Sequence, residues 1–282
     1  MINQKLLVSG ADYFSNAAHI NPYYTDDVID QAAAAQEHAV IISCFEQAGI
    51  EVIKVEPPMD CQDGVYTANW AIVHNDTAIM SNLPSVRQPE QIYAQQVLTN
   101  LGLNCINPTT PNLFSGQGDS LICGNRLFAG SGYRSTPEAQ RIVADAFGLE
   151  LIQLHALPKL NDTGSPFWNA TTNNYDSFFY DLDLALAVID ENTIAYCPDA
   201  FDEPSQRKLA DLEINKILVD REEAINGFAC NLVSTGQTVI MSAHAPKLQA
   251  ELQNRGLKII TPEITELKKG GGYIRCVSLT LS

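Results

Sequence analysis

The sequence predicts an α/β fold of five strand-pair, helix, strand units set as blades around an axis. Three observations predict it. The same order of elements recurs about five times along 282 residues, at intervals of roughly 40 to 70 residues, a length within or somewhat above that of propeller-like repeat architectures. The units share element order but not residue identity. No linker-like composition shift or low-complexity tract interrupts them, so one domain over 1–282 is expected, with two domains as the alternative.

The first unit opens with the apolar run KLLVSG. A helix-like stretch, DDVIDQAAAAQEHAVIISCFEQAG, follows and is closed by glycine, and the strand-like IEVIKV comes next. The second has two β runs, VYTANWAIV and TAIMSNL, separated by the polar turn HND, then the helix PEQIYAQQVLTNLG and the strand LNCIN. SLICGNRLFAGSG, TPEAQRIVADAFG and LELIQLH form the third, and DLALAVIDENTIAYCP, EPSQRKLADL and KILVD the fourth. The fifth reads AINGFACNLVSTGQTVIMS, APKLQAELQNRG and LKIITP, and the terminal GGGYIRCVSLTLS reads as a closing strand behind three glycines. The longest polar stretch, residues 156–178, reads as a loop or lid.

Composition narrows the function. Apolar residues make up 45% and charged residues 18% of the chain, as in globular proteins. No run of about 18 apolar residues indicates a membrane span. The opening MINQKLLVSGADYF has too short an apolar stretch for a signal peptide, so a cytoplasmic protein is expected. A formal net charge of −16 opposes binding to nucleic acid or an anionic membrane and suits a small cationic substrate. The seven cysteines include no CxxC pair and are odd in number, which argues against a zinc site and a disulfide framework. Free cysteine is ordinarily a small buried hydrophobe; only Cys276, behind its glycines, has a context that suggests chemistry.

Seven short stretches fall in one order from residue 12 to the end: DYFSNAAHINPYY, QDGVYTANWAIV, LFSGQGDSL, GSGYRS, FFYDLDLALAVID, INGFACNLV and GGGYIRCVSLTL. Together they resemble the motifs of the guanidine-modifying superfamily with the five-bladed pentein fold. It includes arginine deiminases, dimethylarginine dimethylaminohydrolases and amidinotransferases. The pattern is most similar to the arginine dihydrolase branch, whose motifs read roughly INP, VFTAN, FEGxGD, GYGxR, FYHLDT, NFACN and GGxxxCLTL.

The resemblance implies that a thiolate attacks the central carbon of a guanidinium, an amine leaves, and water releases the covalent intermediate. Cys276 matches the nucleophile, a role that suits a thiolate near neutral pH. Asp183 matches a carboxylate that clamps the guanidinium through paired N–H donors, and Asp119 a second such contact. Asn69 and Asn21 match the branch signature, and Arg134 an arginine that pairs with the substrate's α-carboxylate. Two positions depart from the pattern: Asp181 stands where the family has its acid–base histidine, and Ser115 where it has a glutamate. An unperturbed aspartate titrates at about 3.9, so Asp181 serves as a general acid only if its pKa is raised. If the proton comes from a group other than Asp181, His19, on a loop that faces the pocket in this family, is the first candidate.

The expected function is therefore a guanidine-modifying hydrolase acting on arginine or a related guanidino or ureido amino acid. The alternatives are an amidinotransferase and a pseudoenzyme or metabolite-binding protein of the same fold. No metal or organic cofactor is implied, and a homo-oligomer is left open.

Overall fold

Five three-stranded sheets, all wired alike, frame the computed structural model, which describes residues 2–108 and 112–282. In each, the middle strand pairs antiparallel with the first and parallel with the third. One sheet joins the two ends of the chain, with Leu279–Thr280 beside Lys5–Ser9 and Glu51–Val55 on the far side. The others are Ala71–His74, Thr77–Met80 and Asn104–Ile106; Ser120–Cys123, Arg126–Ser131 and Glu150–His155; Leu186–Asp190, Thr193–Tyr196 and Asn215–Leu218; and Val233–Ser234, Thr238–Ile240 and Lys258–Ile260.

This wiring follows from local chemistry. An antiparallel pair closes through a tight turn, and Asn75, Gly124 and Gly236 supply the positive φ such turns need. A parallel pair needs a crossover, supplied by the helices Gln31–Gln47, Gln88–Asn100, Pro137–Phe147, Glu203–Asp211 and Pro246–Asn254. The first helix buries Ala34, Ile41, Ile42 and Phe45. It starts at Gln31 and not at Asp26, because the Asp30 side chain accepts from the Ala33 N–H and caps it. Burial of side chains such as Phe45, Phe128 and Ile194 contributes about 1.5–3 kcal/mol each.

Three stretches differ from the sequence reading. VYTANWAIV is not one strand: Thr67–Asn69 is a 3-10 turn and the strand begins at Ala71. AINGFACNLV does not open as a strand: its first three residues end an extra helix, Arg221–Asn226, whose first turn is capped by Asp220. The C-terminal strand is only Leu279–Thr280, and Cys276 lies in a turn ahead of it. The polar stretch 156–178 carries a short hairpin, Trp168–Asn169 with Asn174–Tyr175.

These shortened strands position the site. Each sheet is entered through a turn, and a polar residue sits in each one. They are Asn69 before Ala71–His74, Asp119 before Ser120–Cys123, Asp183 before Leu186–Asp190, Asn231 before Val233–Ser234 and Cys276 before Leu279–Thr280. All five are at most 2% exposed.

Candidate active site

The turn at Cys276 is bent by one side chain. Asn231 Oδ1 accepts from the backbone N–H groups of Tyr273, Arg275 and Cys276 at 3.1, 3.0 and 3.2 Å. Three N–H groups converging on one oxygen cannot belong to an extended ladder, which is why a strand-like sequence forms a turn here. The same asparagine donates from Nδ2 to Cys276 Sγ at 3.0 Å. Gly271 and Gly272 let the loop approach: a Cβ on Gly271 (φ +85°) would lie 2.6 Å from Asn21 Oδ1, and one on Gly272 would lie 2.9 Å from the Cys276 Cβ.

The Cys276 thiol donates to Asp183 Oδ2 at 3.3 Å. The charged and titratable groups that act on it are Asp183, Asp181, Arg275 and the phenols of Tyr23, Tyr66 and Tyr180. Burial, then the charges of Asp183 and Asp181, push the thiol pKa well above its usual value. Free of substrate, these surroundings favour the thiol over the thiolate.

Asp181 faces a different set of partners. Its Oδ2 accepts from Asn69 Nδ2 at 2.8 Å and lies 3.7 Å from Arg134 Nη1. Asn69 Nδ2 also reaches Ser115 Oγ at 2.9 Å. The orientation of Asn69 is fixed from behind, since Arg87 Nη1 donates to its Oδ1 at 2.7 Å and arginine can only donate. Asp119 Oδ1 accepts from the Leu182 N–H at 3.1 Å. A Cβ on Gly118 would collide with Asn69 Nδ2 and Asp181 Oδ2, and one on Gly130 with Asp119. Across this cluster Asp119 Oδ2, Asp181 Oδ1 and Asp183 Oδ1 are buried with no protein donor within reach.

Of the residues expected from sequence, Cys276, Asp181, Asp183, Asn69, Asp119 and Ser115 form or join this cluster. Arg134 joins it as well: it stacks 4.1 Å over the Tyr180 ring and donates to the Ile20 carbonyl at 3.1 Å. Asn21 braces the glycine loop through the Gly270 carbonyl at 2.9 Å. His19 stacks on Tyr24 with Nε2 3.8 Å from Asp26, and no described contact joins it to Cys276, Asp181 or Asp183. The other histidines do not replace it: His38 packs inside its helix, His74 on Phe147, His155 on Tyr133, and His244 faces Glu263.

A cavity of about 190 Å³, lined by Ile20, Leu83, Tyr133, Arg134, Tyr180 and residues 172–176, adjoins the Arg134 side. A larger one of about 600 Å³ meets the nucleophile turn only through Arg275 and is lined mainly by sheet residues such as Ile53, Leu103 and Leu186. The carboxylate cluster, and not cavity size, marks the chemistry.

Sequence reading missed Asn231 and Arg87. Asn231 was detectable: in the fifth unit it occupies the position that Asn69, Asp119, Asp183 and Cys276 hold in theirs. Arg87 carries no motif, and its role arises only from tertiary contact.

Burial and the Asp181 charge push the pKa values of both Asp119 and Asp183 well above the usual carboxylate range. The native protein thus holds protons that the unfolded chain loses above about pH 4. Stability of the free protein should fall as pH rises from there through the raised values. A bound guanidinium favours the ionised carboxylates, so binding of a guanidinium ion should release protons and tighten over the same window. Calorimetry in buffers of different ionisation enthalpy will count the protons; uptake on binding contradicts the assignment.

No family model matches the chain. It is 32% identical over 274 residues to the N(G),N(G)-dimethylarginine dimethylaminohydrolase of Mycobacterium tuberculosis, covering 95% of this chain and 83% of that protein. It is 26% identical over 286 residues to the bifunctional arginine dihydrolase/ornithine cyclodeaminase ArgZ of Synechocystis sp., covering 99% of this chain but 38% of that protein. The solved N-terminal domain of ArgZ covalently bound to a reaction intermediate superimposes with a TM-score of 0.88 at 25% identity, covering 99% of this chain and 97% of that one. The dimethylarginine dimethylaminohydrolase of Pseudomonas aeruginosa complexed with citrulline shares the fold, with a TM-score of 0.77 at 17% identity and 99% coverage of both chains. The chain belongs to the dimethylarginine dimethylaminohydrolase family, among the guanidine-modifying enzymes of the pentein fold.

Proposed function

We propose that the protein is a guanidine-modifying hydrolase that cleaves a C–N bond of arginine or a related guanidino or ureido amino acid through a covalent Cys276 intermediate. One observation carries this reading: in a cluster of three buried carboxylates, one of which accepts from the Cys276 thiol, each has an oxygen with no hydrogen-bond partner. Such acceptors suit a planar cation with several N–H donors. The relatives support it, being named for dimethylarginine and arginine chemistry, and an ArgZ domain has been solved with substrate in a Cys→Ser variant.

In this reading Asp119, Asp181 and Asp183 surround the head group, and Asn69, itself bonded to Ser115, holds Asp181 in place. Arg134, at the wall of the adjoining cavity, meets the α-carboxylate. Asn21 supports the glycine loop, and His19 lies outside the reacting group. The cation also offsets the negative charge around Cys276, which makes the thiolate accessible when substrate is present. The reaction so drawn requires no cofactor. The five sheets are read as five blades of a single pentein domain over 1–282. The seven free cysteines suit a reducing cytoplasm.

The test is incubation with arginine, methylarginines, agmatine and citrulline, with products followed by mass spectrometry and Cys276→Ser as control. Turnover should fall at least about 10³-fold in the variant. Product that forms only when an amine acceptor is added makes the protein an amidinotransferase. Saturable binding without turnover in the wild type makes it a metabolite-binding protein.

A further inference from the structure

Two aspartates act on the Cys276 thiol, and their partners differ in a way that separates their roles. Asp183 offers one oxygen to the thiol, at 3.3 Å, while its other oxygen is buried without a protein donor. Asp181 has no hydrogen bond to Cys276. Its Oδ2 is held by Asn69 at 2.8 Å, with the Arg134 guanidinium 3.7 Å away. Among the described contacts no histidine reaches the thiol, and the three nearby phenols are engaged elsewhere. Tyr66 donates to the Leu267 carbonyl, Tyr180 to that of Gly271 and Tyr23 to that of Phe178.

We propose that Asp183 carries the proton between the Cys276 thiol and the departing nitrogen, and that Asp181 is a fixed carboxylate that only holds the guanidinium. The proposal rests on the hydrolase reading above. In the first step the thiol proton passes to Asp183 as sulfur bonds to the central carbon, and the C=N electron pair moves onto nitrogen. The adduct is neutral. Asp183 then gives the proton to the leaving nitrogen, the C–N bond breaks, and a cationic S-amidino enzyme remains with Asp183 ionised. Water next loses one proton to Asp183 as its oxygen bonds to that carbon. The C–S bond breaks, the hydroxyl proton ends on sulfur, and the ureido product leaves. The proton on Asp183 departs with the released amine, so a guanidinium and water become a urea and an ammonium ion.

The geometry suits this relay, because one carboxylate touches the proton's source with one oxygen and keeps the other available for its destination. Burial and the neighbouring Asp181 charge raise the proton affinity of Asp183, so once bound guanidinium has ionised it, it is a ready acceptor for the thiol proton. Asp181, shared between an amide and a guanidinium, is held in one orientation and makes no contact with the thiol proton.

The experiment compares Asp183→Asn and Asp181→Asn, both near-isosteric, in two assays. In arginine turnover, Asp183→Asn should lower kcat by about 10²- to 10⁴-fold. Asp181→Asn should raise KM about 10- to 100-fold and lower kcat by no more than about tenfold. The second assay needs no turnover: the Cys276 peptide is followed by mass spectrometry during iodoacetamide alkylation across pH. Asp183→Asn should lower the pH at which Cys276 reacts by more than Asp181→Asn does. If Asp181→Asn gives the larger kcat loss or the larger alkylation shift, the roles are reversed and the proposal fails. If the wild type does not turn over arginine, the hydrolase reading fails on its own, and the alkylation order still decides between the two aspartates.

Discussion

An Asn231→Ala variant should lose about 3 kcal/mol or more of stability and at least about 10²-fold in kcat. The side chain accepts from three buried backbone N–H groups, those of Tyr273, Arg275 and Cys276, and donates to the Cys276 sulfur at 3.0 Å. Asn231 is completely buried and Cys276 is 2% exposed, so bulk water does not readily take over. Each buried donor left unpaired costs about 1–3 kcal/mol. The turn would then relax toward the extended form its sequence favours. A displacement of about 1 Å at a nucleophile is enough for a 10²-fold loss. Asn231→Asp separates the two jobs of the residue. It keeps an acceptor for the turn but replaces the donor at sulfur with a negative charge, which raises the thiol pKa further. Stability should then fall less than in the alanine variant, and the pH at which Cys276 alkylates should rise. Urea unfolding and the alkylation profile measure the two effects. Equal stability loss in both variants would show that the acceptor role is not what holds the turn.

Asn231 also shows where sequence reading stops. The order of strand pair, helix and strand was legible because alternating apolar runs and glycine-closed helices report local preference. Cys276, Asp183 and Asp119 stood in motifs that matched a known pattern. What local preference does not encode is a turn imposed from 45 residues away. RCVSLTLS has the composition of a strand, yet its first residues bend because an asparagine in another unit captures their N–H groups. Thr67–Asn69 illustrates the same effect, with the Ala68 N–H donating to the Cys276 carbonyl at 3.1 Å. His19 shows a complementary limit: its motif position suggests the pocket, and in the fold its ring stacks on Tyr24 with no described contact to Cys276, Asp181 or Asp183. Arg134 has the composition of a surface residue, and only the fold places it against Asp181.

An Arg87→Met variant should be destabilised by about 3–5 kcal/mol and should weaken arginine binding, and a second substitution can separate those effects. Arg87 and Glu90 are each 1% exposed. They form a two-pronged pair, Nε to Oε1 at 2.9 Å and Nη2 to Oε2 at 2.7 Å. Removing one partner leaves a buried charge uncompensated, the costly way to break such a pair. Replacing both with apolar residues can be close to neutral, so Arg87→Met with Glu90→Leu should recover much of the stability measured in urea. It should not recover the site. Arg87 Nη1 is the donor that holds Asn69 Oδ1 at 2.7 Å. Without it the Asn69 amide is free to turn and present oxygen to Asp181, where the native orientation presents an N–H at 2.8 Å. Arginine affinity should therefore remain about 10-fold or more below wild type in the stable double variant, the value of one hydrogen bond to a charged group. Full recovery of affinity alongside stability would mean that Arg87 serves the fold alone, and that Asn69 keeps its orientation through Ser115 and Asp181 without help from behind.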